Sequence, residues 1–269
     1  MSTNRIRVLL VSLLAVFAIG AVAAGSASGA VRVWKSCEKV TAGTGQFEKN
    51  TCEGAAGTKE WKIVELIAGK TKAVTTLKNT PYTLKSAVGG AEVLIKCTTE
   101  KGEVEKINGG APGTDEAKTL KFSGCVVEKP LKCVVRSSEP LGEVGTIETK
   151  ELKSVLVENP TKTKVEELFE PKAIGGNFVV VEFKNKGLEE CVLKNKVFPI
   201  EGTVVAEISN SKVFQIKATI TAEATGSKKY INAAGEEKEA KLSLGPLNPA
   251  TLKGTTEVEL ESKEAFGGF

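Results

Sequence analysis

The sequence contains no histidine, and Asp115 is its sole aspartate. Without histidine, the chain cannot build a Ser-His-Asp or Cys-His nucleophile pair, use a histidine general base or hold zinc through imidazole ligands. A single aspartate also excludes the aspartate-rich loop that binds calcium. We therefore predict that the protein is not an enzyme and that it holds neither a metal nor a cofactor.

Aromatic side chains are also scarce, at 5% of the residues, with two Trp and two Tyr. Glycan-binding surfaces use exposed Trp and Tyr rings, so this composition does not favour them. Charged residues make up 26% of the chain, both signs are interspersed, and the formal net charge is +4. Nucleic-acid-binding proteins cluster their basic residues on one face. We predict no nucleic-acid partner, and we keep another protein or a component of the cell envelope as candidate partners.

Residues 1–30 have the three parts of a cleavable signal peptide. Two arginines precede an apolar run over residues 8–24, and Gly, Ser and Ala follow up to Ala30. A run of this length is near the lower limit for a membrane span, which needs about 20 residues. We predict cleavage before Val31, with cleavage after residues 21–23 as the alternative. No later segment is long and apolar enough to span a membrane, so we expect a protein that is secreted or retained in the cell envelope.

Six cysteines follow the predicted signal peptide: Cys37, Cys52, Cys97, Cys125, Cys133 and Cys191. An even number of cysteines in an exported chain favours three disulfides, and the absence of a CxxC pair argues against a zinc site. Cys37 and Cys52 bracket a local loop with no other cysteine nearby, which favours their pairing. We prefer a bridge between Cys125 and Cys133, which flank a potential hairpin, and this leaves Cys97 with Cys191. The alternative pairs are Cys97 with Cys125 and Cys133 with Cys191.

Segments rich in Val, Ile, Thr and Phe recur between Gly, Asn and Pro turn signals. The clearest alternating stripe consists of Phe214, Ile216, Ala218, Ile220 and Ala222. One apolar and one polar face is typical of antiparallel sheets, and the pattern predicts an all-β fold, either a sandwich or a barrel, stapled by disulfides. Residues 163–169, between two prolines, have apolar residues at helical spacing that suggest one helical turn.

We divide the chain into the signal peptide (1–30), a small disulfide-bearing N-terminal segment (31–69) and a main all-β domain (70–269). Two cysteines of the main domain, Cys97 and Cys191, each lie in a predicted strand soon after a glycine. This repetition suggests that the main domain consists of two β-halves, with a boundary near residues 172–176.

Two stretches of the main domain are distinctive. The first is GGAPGTDE at 109–116, which leads into LKFSGC at 120–125. The second is LSLGPLNPATLKG at 242–254, which precedes a strand and Phe266-Gly267. Together with the alanine-rich signal, these stretches resemble a large group of uncharacterised secreted proteins from soil actinobacteria. The resemblance implies export and β-structure, and it assigns no activity and no functional residue.

Three residues are the candidates for ligand contact. Asp115 follows a Gly- and Pro-rich loop and could touch a cation, but with Glu116 it offers too few oxygens for calcium. An Asx turn is the simpler interpretation of Asp115. Trp34 and Trp61 could each present an aromatic platform, although a tryptophan in a β-rich segment more often anchors the core.

The adjacent glutamates at 166–167 and 189–190 do not suggest facing acids, because neighbours on a strand point to opposite sides. We interpret both pairs as solvated. Three functions survive these arguments. We prefer a secreted structural or interaction protein without catalysis, followed by a β-sandwich module that binds a glycan or a small ligand. An enzyme of the glycosidase type that relies on carboxylates alone is the third possibility.

Overall fold

A computed structural model describes residues 31–55, 57–225 and 227–269, and the predicted signal peptide lies outside them. Every regular element within these ranges is a β-strand, which confirms the predicted all-β class. The strands are β1 (Trp34–Lys39), β2 (Trp61–Glu65), β3 (Thr71–Asn79), β4 (Tyr82–Val88), β5 (Ala91–Cys97), β6 (Thr99–Glu103), β7 (Glu105–Asn108), β8 (Thr114–Ala117), β9 (Thr119–Ser123), β10 (Val126–Lys129), β11 (Cys133–Glu139), β12 (Thr146–Glu148), β13 (Leu152–Glu158), β14 (Val165–Pro171), β15 (Asn177–Asn185), β16 (Val197–Gly202), β17 (Val204–Ile208), β18 (Lys217–Thr225), β19 (Ser227–Ile231), β20 (Glu237–Leu244), β21 (Pro249–Leu260) and β22 (Ala265–Gly268).

Eight of these strands close into an antiparallel barrel in the order β3-β7-β8-β13-β14-β17-β18-β21. Each strand pairs with its two neighbours, and the pairing of β21 with β3 completes the ring. Closure of a sheet on itself leaves these strands without exposed edges. The sequence pattern did not distinguish a sandwich from a barrel, and the structure shows a barrel.

The strand β21 is 12 residues long and belongs to two sheets. Its second half pairs with β3 in the barrel, whereas its first half pairs with β4 and β20. Strands β5 and β10 extend this second sheet beyond β4, and β16, β15 and β11 extend it beyond β20. In a separate three-stranded sheet, β1 lies between β2 and β22, so the two ends of the described chain lie side by side.

Residues 163–169 do not form the suggested helical turn. Residues Val165–Pro171 are strand β14, which pairs with β13 along its whole length. The helical spacing of apolar residues arises because this strand is buried on both faces. Val165 belongs to the hydrophobic cluster inside the barrel, whereas Leu168 packs on the other side against Val157 and Val205.

Three disulfides join Cys37 to Cys52, Cys97 to Cys125 and Cys133 to Cys191. The first pairing is confirmed. The preferred pairing of Cys125 with Cys133 and of Cys97 with Cys191 is wrong, and the alternative is the observed one. Strand pairing explains this outcome: β10 lies antiparallel to β5, which brings Cys125, just before β10, next to Cys97 at the end of β5. Three bridges are compatible with an oxidising environment.

Candidate functional site

The strand register fixes which side chains enter the barrel. Residues opposite each other on antiparallel strands point to the same side of the sheet. Ile107 of β7 lies opposite Asp115 of β8, and Asp115 lies opposite Ser154 of β13. Since Ile107 is buried in the cluster inside the barrel, Asp115 and Ser154 face inward with it. By the same alternation, Glu105 also faces inward, two residues before Ile107.

Glu167 enters the barrel from the neighbouring strand β14. It lies opposite Leu156 of β13 on one side and Ala206 of β17 on the other, and both partners are buried. Its neighbour Glu166 points to the opposite side and pairs with Lys228, with Oε1 and Nζ 2.8 Å apart. Both glutamates are nevertheless almost fully buried, at 2% and 3% exposed. The interpretation of this pair as solvated is therefore wrong, because β14 is covered on both faces.

A cavity of about 180 Å³ lies in this interior and extends between the barrel and the sheet of β4 and β5. Its walls are mainly apolar and include Trp34, Ile107, Phe122, Phe169, Phe178 and Phe266. Four carboxyl groups also line it: Glu100 of β6, Glu105 of β7, Asp115 of β8 and Glu167 of β14. Four separate strands thus bring acidic side chains to one apolar space.

A short chain of hydroxyl groups satisfies Glu100. The Thr256 hydroxyl donates to Glu100 Oε2 at 2.6 Å, and the Tyr82 hydroxyl lies 2.7 Å from the same Thr256 oxygen. Because Thr256 uses its single proton on Glu100, the Tyr82 hydroxyl is the donor in the second bond. Burial, and then the charge of Glu100, raise the pKa of Tyr82, so this phenol keeps its proton and can act as that donor.

The other three carboxyl groups have few hydrogen-bond partners. The Thr76 hydroxyl donates to Glu105 Oε2 at 3.2 Å, and the Ser154 hydroxyl donates to Glu167 Oε1 at 3.2 Å. Asp115 accepts no side-chain hydrogen bond from any residue that the structure describes. It retains some accessible surface because it faces the cavity. These carboxyl groups are removed from water and are only partly compensated by the protein.

Burial is the main cause of the high pKa values of these acids. It raises the pKa of Glu105 to about 8, with further contributions from the charges of Glu100 and Asp115. Burial also raises the pKa of Glu167 to about 7, which the Ser154 hydroxyl partly offsets and the charge of Glu105 increases. The pKa of Asp115 lies well above its usual value for the same reason, followed by the charge of Glu167. Near neutral pH, Glu105 and Glu167 therefore change between a neutral hydrogen-bond donor and a negative charge.

No lysine or arginine in the described ranges compensates these charges: neither an ion pair nor a cation acts on any of the four acids. Several acids on the surface, in contrast, form ion pairs with lysines. Glu92, for example, lies 2.6 Å from the Nζ atom of Lys129. Among residues 31–55, 57–225 and 227–269, no three acids or cysteines lie together in an arrangement that could hold a metal ion.

The structure brings two of the three candidate residues to this cavity. Asp115 is the second residue of strand β8, which begins at Thr114 and pairs there with β7 and β13. The Asx-turn interpretation is therefore wrong, because the Gly- and Pro-rich loop ends before Asp115. Trp34 is 2% exposed, lines the cavity and donates from Nε1 to the Thr114 carbonyl at 3.0 Å. Trp61 is half-buried in β2 beside Phe47, away from the cavity.

Sequence reasoning missed Glu100 and Glu105. The signal for Glu105 was present in the alternation of Glu105, Lys106 and Ile107, which places the glutamate on the same side as an apolar residue. Nothing local marks Glu100, because Thr256, its partner, lies 156 positions further along the chain. The glutamates at 189–190 are exposed in a loop, as interpreted.

Comparisons with known proteins do not add to this description. No protein-family model matches the chain, and neither curated proteins nor solved structures show a significant match. Across the described part of the chain, no helix has the length and apolar character needed to cross a membrane.

Proposed function

We propose that the chain is a secreted binding protein that holds a small, mainly apolar ligand inside its barrel. The observation that carries this proposal is the internal cavity of about 180 Å³ with mainly apolar walls. Close packing is the rule in protein interiors, and voids larger than a water molecule are few. An apolar cavity of about 150 Å³ is large enough to take up benzene, so a ligand near this size fits.

The wall chemistry favours an apolar ligand over a sugar. A sugar ring carries hydroxyl groups on most of its edge, and each needs a partner once it leaves water. Among the described residues that line this cavity, the polar side chains are the four acids, Tyr82, Thr149 and Thr256, and the indole N–H of Trp34 is already bonded to the Thr114 carbonyl. The remaining wall is hydrocarbon and aromatic. This argument places small-ligand binding ahead of a structural role, of glycan binding and of carboxylate-only catalysis.

Export is the second part of the proposal. The three-part N-terminus and the three disulfides both support it. The predicted cleavage before Val31 keeps Arg32 in the mature chain. Arg32 is 2% exposed, and its guanidinium lies 2.5 Å from Glu158 Oε2. A mature chain that begins at Val31 thus retains a buried ion pair that a later cleavage would remove.

Isothermal titration of the mature protein with benzyl alcohol tests the binding function. We expect a dissociation constant of about 1 mM or tighter, which corresponds to about −4 kcal/mol. Ala206 faces the cavity and is 1% exposed, so Ala206→Leu fills part of the space and weakens binding at least fivefold. Ala206→Phe fills more of it and abolishes binding if the variant folds.

The control is Ala87→Leu, because Ala87 is exposed on β4; this variant binds benzyl alcohol as the wild type does. Near-ultraviolet circular dichroism verifies that each variant is folded. An absence of binding to the folded wild-type protein at 10 mM ligand contradicts the proposed function, and so does equal binding by Ala206→Leu.

A further inference from the structure

Ser154 lies between two acids of the cavity wall. It is opposite Asp115 across the β13–β8 pairing, and its hydroxyl donates to Glu167 Oε1 at 3.2 Å. Directly opposite residues of antiparallel strands have their Cβ atoms about 5 Å apart. Asp115 and Glu167 thus flank one serine and form a two-carboxylate seat in the cavity wall.

This seat has unused acceptors that face the cavity. Glu167 is 3% exposed, yet only its Oε1 atom receives a hydrogen bond within the described part of the chain. Asp115 likewise receives no hydrogen bond from a side chain in the described part of the chain. Burial of acceptors without partners is costly, and hydrophobic residues of similar volume would fill the wall without this cost. A group that enters the cavity and donates hydrogen bonds would compensate both acids.

The seat suits an organic ammonium group better than a metal ion. Calcium takes six to eight oxygens and magnesium six in octahedral geometry, whereas no such set of acids occurs in the ranges that the structure describes. A primary ammonium carries three N–H donors and one positive charge. The carboxyl groups of Asp115 and Glu167 both line the cavity and can receive these donors, and the apolar walls can enclose the rest of the molecule.

We propose that the ligand is a small amphipathic amine whose ammonium group binds between Asp115 and Glu167 while its apolar body fills the cavity. This inference rests on the proposed binding function and names the class of ligand. Its pH dependence involves the titratable groups that line the same cavity, Glu100, Glu105 and Tyr82. The charge of Glu116, which lies on the outer side of β8 and pairs with Lys106, also acts on Asp115. Because a bound ammonium favours ionised carboxylates, affinity for the amine increases between pH 6 and pH 8, by up to about tenfold per unit for one proton released.

Three ligands of the same shape separate the outcomes: benzylamine, benzyl alcohol and benzoate. At pH 8 we expect benzylamine to bind the wild-type protein at least tenfold more tightly than benzyl alcohol, and benzoate to bind most weakly. In Glu167→Gln and in Asp115→Asn, the ratio of amine to alcohol affinity falls at least fivefold. Glu239→Gln, which changes an exposed glutamate, keeps the wild-type ratio.

Each result bears on one of the two proposals. If benzyl alcohol and benzylamine bind equally, or if the ratio is unchanged in both cavity variants, the amine inference is wrong and the binding function stands. If none of the three ligands binds the folded wild-type protein, the binding function itself is wrong. A preference for benzylamine that does not depend on pH between 6 and 8 also contradicts the role of the two carboxyl groups.

Discussion

Replacement of Glu105 by glutamine removes a carboxyl group whose pKa the barrel interior raises to about 8. In the unfolded chain, the pKa of a glutamate is about 4.3. Between these two values, the folded state keeps the proton and the unfolded state releases it. The free energy of unfolding therefore decreases as pH increases from about 4.3 to 8, and the loss is complete above pH 8.

One pKa unit corresponds to about 1.36 kcal/mol, so the difference of roughly 3.7 between the two pKa values sets an upper limit of about 5 kcal/mol for this group. Glu100 and Asp115 titrate in the same cavity and share the effect, so we expect Glu105→Gln to gain about 2–3 kcal/mol at pH 8. At pH 5 the gain is at most about 1 kcal/mol, because the carboxyl group is still neutral in the folded state and pH 5 lies only about 0.7 unit above the pKa of the unfolded chain. Glutamine keeps an acceptor for the Thr76 hydroxyl.

Urea unfolding with intact disulfides, followed by circular dichroism from pH 5 to pH 9, measures this change. Urea is preferable to guanidinium because it does not screen charges. The wild type should lose stability over this range, and Glu105→Gln should lose less. The exposed control Glu239→Gln should keep the wild-type profile. A wild-type stability that is constant or increases from pH 5 to pH 8 would refute the reasoning.

Three further predictions concern stability. Removal of the 58-residue bridge in the double variant Cys133→Ala/Cys191→Ala costs about 4 kcal/mol in the loop-entropy model, measured by urea unfolding; a loss below 1 kcal/mol contradicts it. Arg32→Ala leaves the buried carboxylate of Glu158 with Lys212 as its one remaining cationic partner among the described residues, and it costs about 2–3 kcal/mol. An unchanged thermal midpoint would argue against the importance of the Arg32 ion pair. Gly254→Ala puts a methyl group against the ring of Tyr82 and lowers the free energy of unfolding by about 1–3 kcal/mol, measured by calorimetry. An unchanged stability would show that the ring moves aside without cost and would contradict this prediction.

The sequence predicts features that depend on local alternation. Ala218 and Ala222 are buried in β18, and the threonines between them are not, as the period-2 stripe indicates. A strand that is covered on both faces has no such alternation. For this reason β14 resembled a helical turn, and the inward position of Glu167 was not predicted.

Features that depend on the pairing of strands far apart along the chain could not be predicted from the sequence. Closure of the barrel requires β3 to meet β21, at the opposite end of the chain, and no local pattern encodes this contact. The same holds for Cys97 and Cys125, whose proximity follows from the pairing of β5 with β10. The cavity itself combines side chains from both ends of the chain, such as Trp34 and Phe266.

The central claim is that a ligand occupies the barrel interior, and methyl NMR of alanine-labelled protein tests it most directly. Ala206 and Ala222 line the cavity, whereas Ala87 is exposed on β4. On addition of benzylamine at pH 8, we predict that the ring current of the bound ligand shifts the methyl signals of Ala206 and Ala222, while the Ala87 signal stays in place. Unchanged signals for both cavity alanines at a saturating ligand concentration, or shifts confined to surface alanines, would contradict the account.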